Sequence, residues 1–154
     1  MADGEIISLR EILTSESKPL AQRFRSLFSL KHVASQPYSS SRSFQAIEAI
    51  AAGFDSPSAL LKHELAYCLG QTRNLDAVPA LRRVLEDRDE DAMCRHEAAE
   101  AIGALGDTSC VDLMTRLRDS DHEPTVVRET CSIAVDRFRW QMSEAAQQES
   151  LKTR

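Results

Sequence analysis

The sequence predicts an all-α protein, a short solenoid of about four stacked helical hairpins. Three observations carry that expectation. Apolar residues recur at three- and four-residue spacing through most of the stretch from Glu5 to Met142. Helix punctuation, such as Asp55-Ser56-Pro57, Asn74 and Gly106-Asp107, cuts this pattern into segments of similar length. An adjacent His-Glu pair occurs twice, as His63-Glu64 and His96-Glu97, 33 residues apart and at matching places in two similar segments.

Composition agrees with one helical domain. The chain has 154 residues, with 42% hydrophobic, 28% charged and 5% aromatic residues, enough for one buried core. A net charge of −5 gives no basic footprint, so nucleic acid is not an expected partner. No apolar run approaches the roughly 20 residues that span a bilayer, so no membrane is expected. The opening MADGEIISLR has neither the apolar core of a signal peptide nor the Arg-rich bias of a transit peptide, and the expected setting is cytoplasmic. Cys68, Cys94, Cys110 and Cys131 show no C-x-x-C spacing and read as reduced, mostly buried thiols.

The elements follow in order. Ile6, Leu9, Ile12 and Leu13 place a short amphipathic helix over Glu5–Leu13. Pro19 suits the first turn of a second helix, Leu20–Val33, which packs on the first as a hairpin. Ser35–Ser43 is Ser-rich, contains Pro37 and reads as a loop. Phe44–Ala52 resumes helical spacing, Gly53 is a natural stop, and Asp55-Ser56-Pro57 signals the next start. In the helix that follows, Leu61, Leu65, Cys68 and Leu69 form the apolar stripe. At about 100° per residue, His63 lies away from Leu65 and shares a face with Tyr67 and Gly70.

Asn74-Leu75-Asp76 opens another helix, with Pro79 in its first turn and Val78, Leu81, Val84 and Leu85 as its apolar positions. Glu86–Asp91 reads as a solvated acidic connector. The second His-Glu helix places Cys94, Ala98, Ala101, Ile102 and Leu105 on the core side and His96, Glu100 and Gly103 on the other. Gly106-Asp107 ends it, and Val111–Arg118 forms the next helix. Asp119–Glu123 is a polar turn before Pro124, and a long helix runs from Thr125 to about Met142. Its Val127-Arg128-Glu129 aligns with the two motifs, with Arg128 in place of the His, and the first hairpin has Phe24-Arg25 at the matching place. Residues 1–142 read as the repeat domain, and 143–154 as a polar tail or the start of a linker.

A helical pair repeating every 32–39 residues is the mark of a solenoid of the HEAT class. Stacking places one helix of each pair on a shared inner face, with neighbours 8–10 Å apart, so the two His-Glu helices can converge. Imidazole and carboxylate together suit a metal such as iron. On spacing alone two readings stay open, a metal site and a surface for a partner. His32 and His122 read as polar residues of a helix end and a turn, Arg128 and Glu129 as structural pairing, and Tyr67 as packing. Gly70 and Gly103 read as helix ends or close backbone contacts.

The blocks LLKHELAYCLGQ, CRHEAAEAIGALGD and VVRETCSIAVDRFRW, with RFRSLFSLKHV before them, resemble deoxyhypusine hydroxylase in order and spacing over roughly Leu20–Trp140. The resemblance implies a HEAT-repeat scaffold of two similar halves, each with two His-Glu motifs, around a di-iron centre. It implies an O2-dependent monooxygenase that hydroxylates the deoxyhypusine side chain of a translation initiation factor to form hypusine. By motif match, His63, His96 and Glu97 are ligands of Fe(II). Glu64 is a ligand or, by preference, a catalytic-site carboxylate that contacts the substrate amine.

This chain carries two of the four motifs and so matches the N-terminal half. The expected partner is the C-terminal half of the same enzyme or a second copy in a homodimer, besides the deoxyhypusine-bearing factor. The competing expectation is a non-catalytic HEAT-repeat interaction scaffold. A HEAT-like lyase acting on chromophore proteins is a weaker third, which the His-Glu pairs do not favour.

Overall fold

Capping side chains decide where the helices start. The structure, a computed structural model, describes residues 3–35 and 40–153. Asp3 Oδ1 accepts from the N–H groups of Glu5 and Ile6 and opens α1 (Gly4–Thr14). Pro19 stands at the cap of α2 (Leu20–Ala34), one residue ahead of the first turn expected for it. Ser40 and Ser43 form a reciprocal capping box, so α3 (Ser41–Ala51) begins before Phe44. The loop expected over Ser35–Ser43 therefore loses its last three residues to helix; its residues 36–39 lie outside the described residues.

Two expected boundaries move near α4 (Ala59–Gln71). Its cap is Ser58, whose Oγ accepts from the Leu61 N–H, not the earlier Asp55-Ser56. Residues Ala52–Asp55 extend α3 as a 3-10 turn, and Gly53 is buried in it against Leu65 instead of stopping the helix. Ser56 turns inward, accepting from the Ser58 N–H and from Arg23.

The remaining helices match their signals. Asn74 opens a 3-10 turn, Leu75–Ala77, that leads into α5 (Val78–Glu86). Asp91 caps α6 (Ala92–Leu105), and Gly106 ends it at φ 73°, a left-handed conformation that glycine adopts without strain. α7 spans Val111–Arg118 and α8 Thr125–Gln141. The segment read as a polar tail or the start of a linker forms α9 (Glu144–Lys152), capped by Ser143 and packed on α8.

The first eight helices pair as four hairpins. α2, α4, α6 and α8 stack side by side as an inner layer, with α1, α3, α5 and α7 on its other side. Leu13, Leu27, Ile50, Leu65, Leu85, Ile102 and Phe138 are fully buried in the core, each contributing roughly 1.5–3 kcal/mol. Leu105, expected in the core, is only partly buried.

Arginines mark the repeat. Arg23 Nε donates to Leu13 O at 2.8 Å, Arg95 Nε to Leu85 O at 3.0 Å and Arg128 Nε to Arg118 O at 3.1 Å. Each inner-layer guanidinium thus satisfies a carbonyl in the last turn of its outer helix, where no intrahelical donor is available. Lys62 holds the same position on α4 and pairs with Glu90 Oε1 at 2.6 Å. The acidic connector is therefore tied down at Glu90, not wholly solvated. Glu123, expected in a polar turn, is also buried, with its Oε2 2.6 Å from the buried Arg95 guanidinium in a charge contact without hydrogen-bond alignment.

This ladder corrects one alignment. Arg128 makes the bond that Arg95 makes, so it is the counterpart of Arg95 and not of His96. Glu129 stands at the His position of the last repeat and Thr130 at the Glu position. Glu129 is exposed, and only Arg128 joins the structural pairing, reaching Asp121 at 3.5 Å.

The inner helices approach closely at small residues. A Cβ on Gly70 would lie 2.8 Å from Ala101 Cβ and 2.9 Å from Ala101 Cα. One repeat later, a Cβ on Gly103 would lie 3.3 Å from Ala134 Cβ. Close approach is thus the reason for both glycines, and it brings the faces carrying His63, His96 and Thr130 together.

Candidate metal centre

Glu97 lies at the middle of the inner face. It is buried at 6% exposure, on the side of α6 that meets α4. Its Oε2 lies 3.0 Å from His63 Nε2, across the helix pair, and 4.0 Å from His96 Nε2 on its own helix. Burial raises the Glu97 carboxyl above the usual carboxylate range. The charges of Glu100 and Glu64 push the same way, while His63 and His96 oppose them. An anionic Glu97 therefore needs positive charge beside it.

His96 gathers the other polar groups. Its Nε2 lies 3.6 Å from Glu100 Oε2, and its Nδ1 lies 2.6 Å from Thr130 Oγ1 on α8. One donor atom each from His96, Glu97 and Glu100 falls within 4.8 Å of the others. Ligands held about 2.1 Å from one ion lie roughly 3–4 Å from each other; the 3.6 Å from His96 to Glu100 falls in that range, and the group as a whole spreads wider.

Of the three sequence-derived candidate ligands, His63 and His96 each approach Glu97, while the compact group of three donors is His96, Glu97 and Glu100, with His63 reaching it through Glu97. Glu64 is half-buried, and its charge is felt at Glu97 and at Cys68, so it borders the cluster. The repeat register puts Phe24 on α2 where α4 has His63, so the contact between His63 and Glu97 has no counterpart one repeat earlier at Glu64.

Two further polar neighbours join them. Sequence spacing puts Glu100 on the His96 face without marking it as a ligand, and four residues of helix bring its carboxylate to the imidazole. Thr130 is recognisable only once the arginine ladder fixes the register. Beside them, a groove of about 310 Å³ runs between α6 and α8, lined by His96, Glu100, Gly103, Thr130, Ile133 and Arg137 among others.

The remaining candidates stand apart. All four cysteines are free and buried. Burial pushes the thiols of Cys68 and Cys94 up to about 11 and that of Cys131 to about 12, which disfavours the thiolate needed for ligation or nucleophilic attack. His32 and His122 are exposed. Tyr67, expected to pack, is 46% exposed, and its hydroxyl accepts from Gln71 Nε2 at 2.6 Å. Among the described residues, no helix is long and apolar enough to cross a membrane.

Comparison with known proteins follows the same lines. The family model for HEAT repeats matches residues 46–135. A deoxyhypusine hydroxylase of Neosartorya fischeri is 59% identical over 151 residues, which cover 98% of this chain and 45% of that protein. One from Emericella nidulans is 60% identical over the same shares. The structure of human deoxyhypusine hydroxylase in complex with glycerol aligns with a TM-score of 0.79 and 38% identity, over 95% of this chain and 46% of that one. The chain thus spans a little under half the length of these relatives. It belongs to the HEAT-repeat family, and along nearly its whole length it is similar in sequence and fold to deoxyhypusine hydroxylases.

Proposed function

We propose that this chain is the iron-binding, N-terminal half of a deoxyhypusine hydroxylase-like monooxygenase. The whole enzyme acts on the deoxyhypusine side chain of a translation initiation factor and forms hypusine. The observation that carries the reading is the buried Glu97 carboxylate with His63 Nε2 at 3.0 Å and His96 Nε2 at 4.0 Å. Two imidazoles and a carboxylate suit Fe(II), which takes both ligand types. His63, His96 and Glu97 hold the metal, with Glu100 as a further carboxylate at its edge.

Bound iron supplies the activation of dioxygen. The chain's own residues bind and orient. Glu64 and Glu100 bring negative charge to the rim of the site, which draws in a cationic amine and holds it by charge-assisted hydrogen bonds. Ile133 and Ala134 give the neighbouring groove an apolar wall for methylene groups. Three or four donors serve one ion, so a di-iron centre takes further ligands from a complementary half or from a second copy facing the first. A reducing, cytoplasmic setting suits four free buried thiols.

The test is native mass spectrometry after anaerobic loading with ferrous iron, with a His63→Ala/His96→Ala variant beside the wild type. The expected result is a paired species with two irons for the wild type and a folded, iron-free double variant. Equal iron content in the two proteins would refute the ligand assignment and leave an interaction scaffold as the better reading.

A further inference from the structure

We propose that Thr130 is a positioning residue that fixes the tautomer of His96, so that Nε2 presents its lone pair to the Glu97–Glu100 side. Thr130 Oγ1 lies 2.9 Å from Val126 O and 2.6 Å from His96 Nδ1. A helix carbonyl only accepts, and the hydroxyl has one hydrogen to give. When that hydrogen goes to Val126 O, as helical threonines commonly arrange, Oγ1 can only accept from the ring. Nδ1 of the neutral imidazole then carries the N–H and Nε2 keeps its lone pair, against the pull of the Glu97 and Glu100 carboxylates at 4.0 and 3.6 Å, which by themselves favour a proton on Nε2.

Burial strengthens the arrangement. Thr130 is 9% exposed and the His96 side chain 21%, so water competes little for the bond. The repeat gives the position its meaning. His63 meets Glu97 34 residues later, and His96 meets Thr130 34 residues later, by the same step from one inner helix to the next. The two contacts use different ring atoms, Nε2 of His63 and Nδ1 of His96. Binding Nδ1 to α8 turns the second ring so that its Nε2 faces back to Glu97 Oε2, where the first ring also points. A carboxylate at position 130 would add another negative group there; a hydroxyl orients the ring without adding charge.

The proposal takes the metal reading for what Nε2 binds, but the tautomer is a property of the metal-free chain. Nitrogen-15 NMR of the imidazoles, recorded above the histidine titration range, reads it directly. The expected result is a protonated Nδ1 and a bare Nε2 for His96 in the wild type and in Thr130→Ser. Thr130→Val, which keeps the shape and removes the hydroxyl, shifts His96 toward the Nε2–H form. Cobalt(II) titration of the same proteins then shows affinity about 10- to 100-fold weaker in Thr130→Val and nearly restored in Thr130→Ser.

An Nε2–H tautomer in the wild type overturns the proposal, as does an unchanged tautomer in Thr130→Val. Equal cobalt affinity in wild type and Thr130→Val overturns the positioning role. A wild-type chain with the expected tautomer that takes up no cobalt supports the Thr130 assignment and refutes the metal reading, so the two failures are distinct.

Discussion

His63 and Glu97 touch across α4 and α6, Nε2 to Oε2 at 3.0 Å, although neither belongs to the other's motif. They are 34 residues apart, one repeat of 33 plus one. Within its own motif, Glu97 is 4.0 Å from His96 Nε2. The adjacent His-Glu pair therefore works between repeats: the Glu of one helix meets the His of the helix before it. A single copy would build nothing, and two copies build one shared group.

The first prediction concerns Glu97. Its burial makes the anion costly in the metal-free chain. Glu97→Gln keeps the shape, removes that cost and removes the negative donor. Thermal denaturation of the metal-free variant should show a midpoint no lower than that of the wild type. Iron or cobalt uptake should fall at least about tenfold, the lower end of what disturbing a metal site costs. A large loss of thermal stability would mean that the carboxylate serves the fold and not a ligand.

The second concerns the close approach of α4 and α6. Alanine at a helix-interior glycine normally stabilises by about 0.5–1 kcal/mol. At Gly70 the new Cβ meets Ala101 Cα at 2.9 Å, a backbone atom that cannot step aside. Gly70→Ala should therefore destabilise by about 1–3 kcal/mol in urea denaturation, and by separating α4 from α6 it should weaken metal uptake as well. Gly103→Ala, with a 3.3 Å contact, should stay within about 1 kcal/mol of the wild type. Equal effects at both sites would contradict this account of the packing.

The third concerns the Arg95–Glu123 pair, with side chains 3% and 2% exposed. Glu123→Ala leaves a buried guanidinium without its counter-charge, and such losses cost about 3–5 kcal/mol. Asp121→Ala, which removes only the 91% exposed partner of Arg128 and leaves the bond from Arg128 to Arg118 O in place, should cost about 1 kcal/mol or less. Denaturant midpoints of the two variants decide between them.

Much of this was legible in the chain and some was not, for physical reasons. Helical spacing and capping residues marked the first eight helices, because amphipathic packing writes a period into the sequence. The two His-Glu helices stood out because their motifs repeat. Val127-Arg128-Glu129 imitates the motif one residue out of register, and the bond from Arg128 to Arg118 O reveals the true alignment. Glu123 looked solvated because its partner Arg95 is 28 residues away and adjacency in sequence says nothing of that contact. Residues 143–154 read as a polar tail or linker start because a mostly polar run carries little periodicity, yet Ser143 caps a helix there.

The last prediction is one of pH. Asp3 caps α1 and accepts a hydrogen bond from Arg42 Nε on α3 at 2.8 Å. That bond, with those from the Ile6 and Glu5 N–H groups, holds its carboxyl below the ordinary value of 3.8. A carboxyl depressed in the folded state contributes stability in full above its unfolded value, and the contribution is lost as pH falls through the folded value. Asp3→Asn keeps a capping oxygen and removes the charge. Unfolding curves of wild type and Asp3→Asn should therefore differ by a constant amount from neutral pH down to about pH 4 and converge below it. The difference should also shrink as salt is added, because both partners are partly exposed. A gap that persists unchanged into acid would show that Asp3 acts through packing and not through its charge.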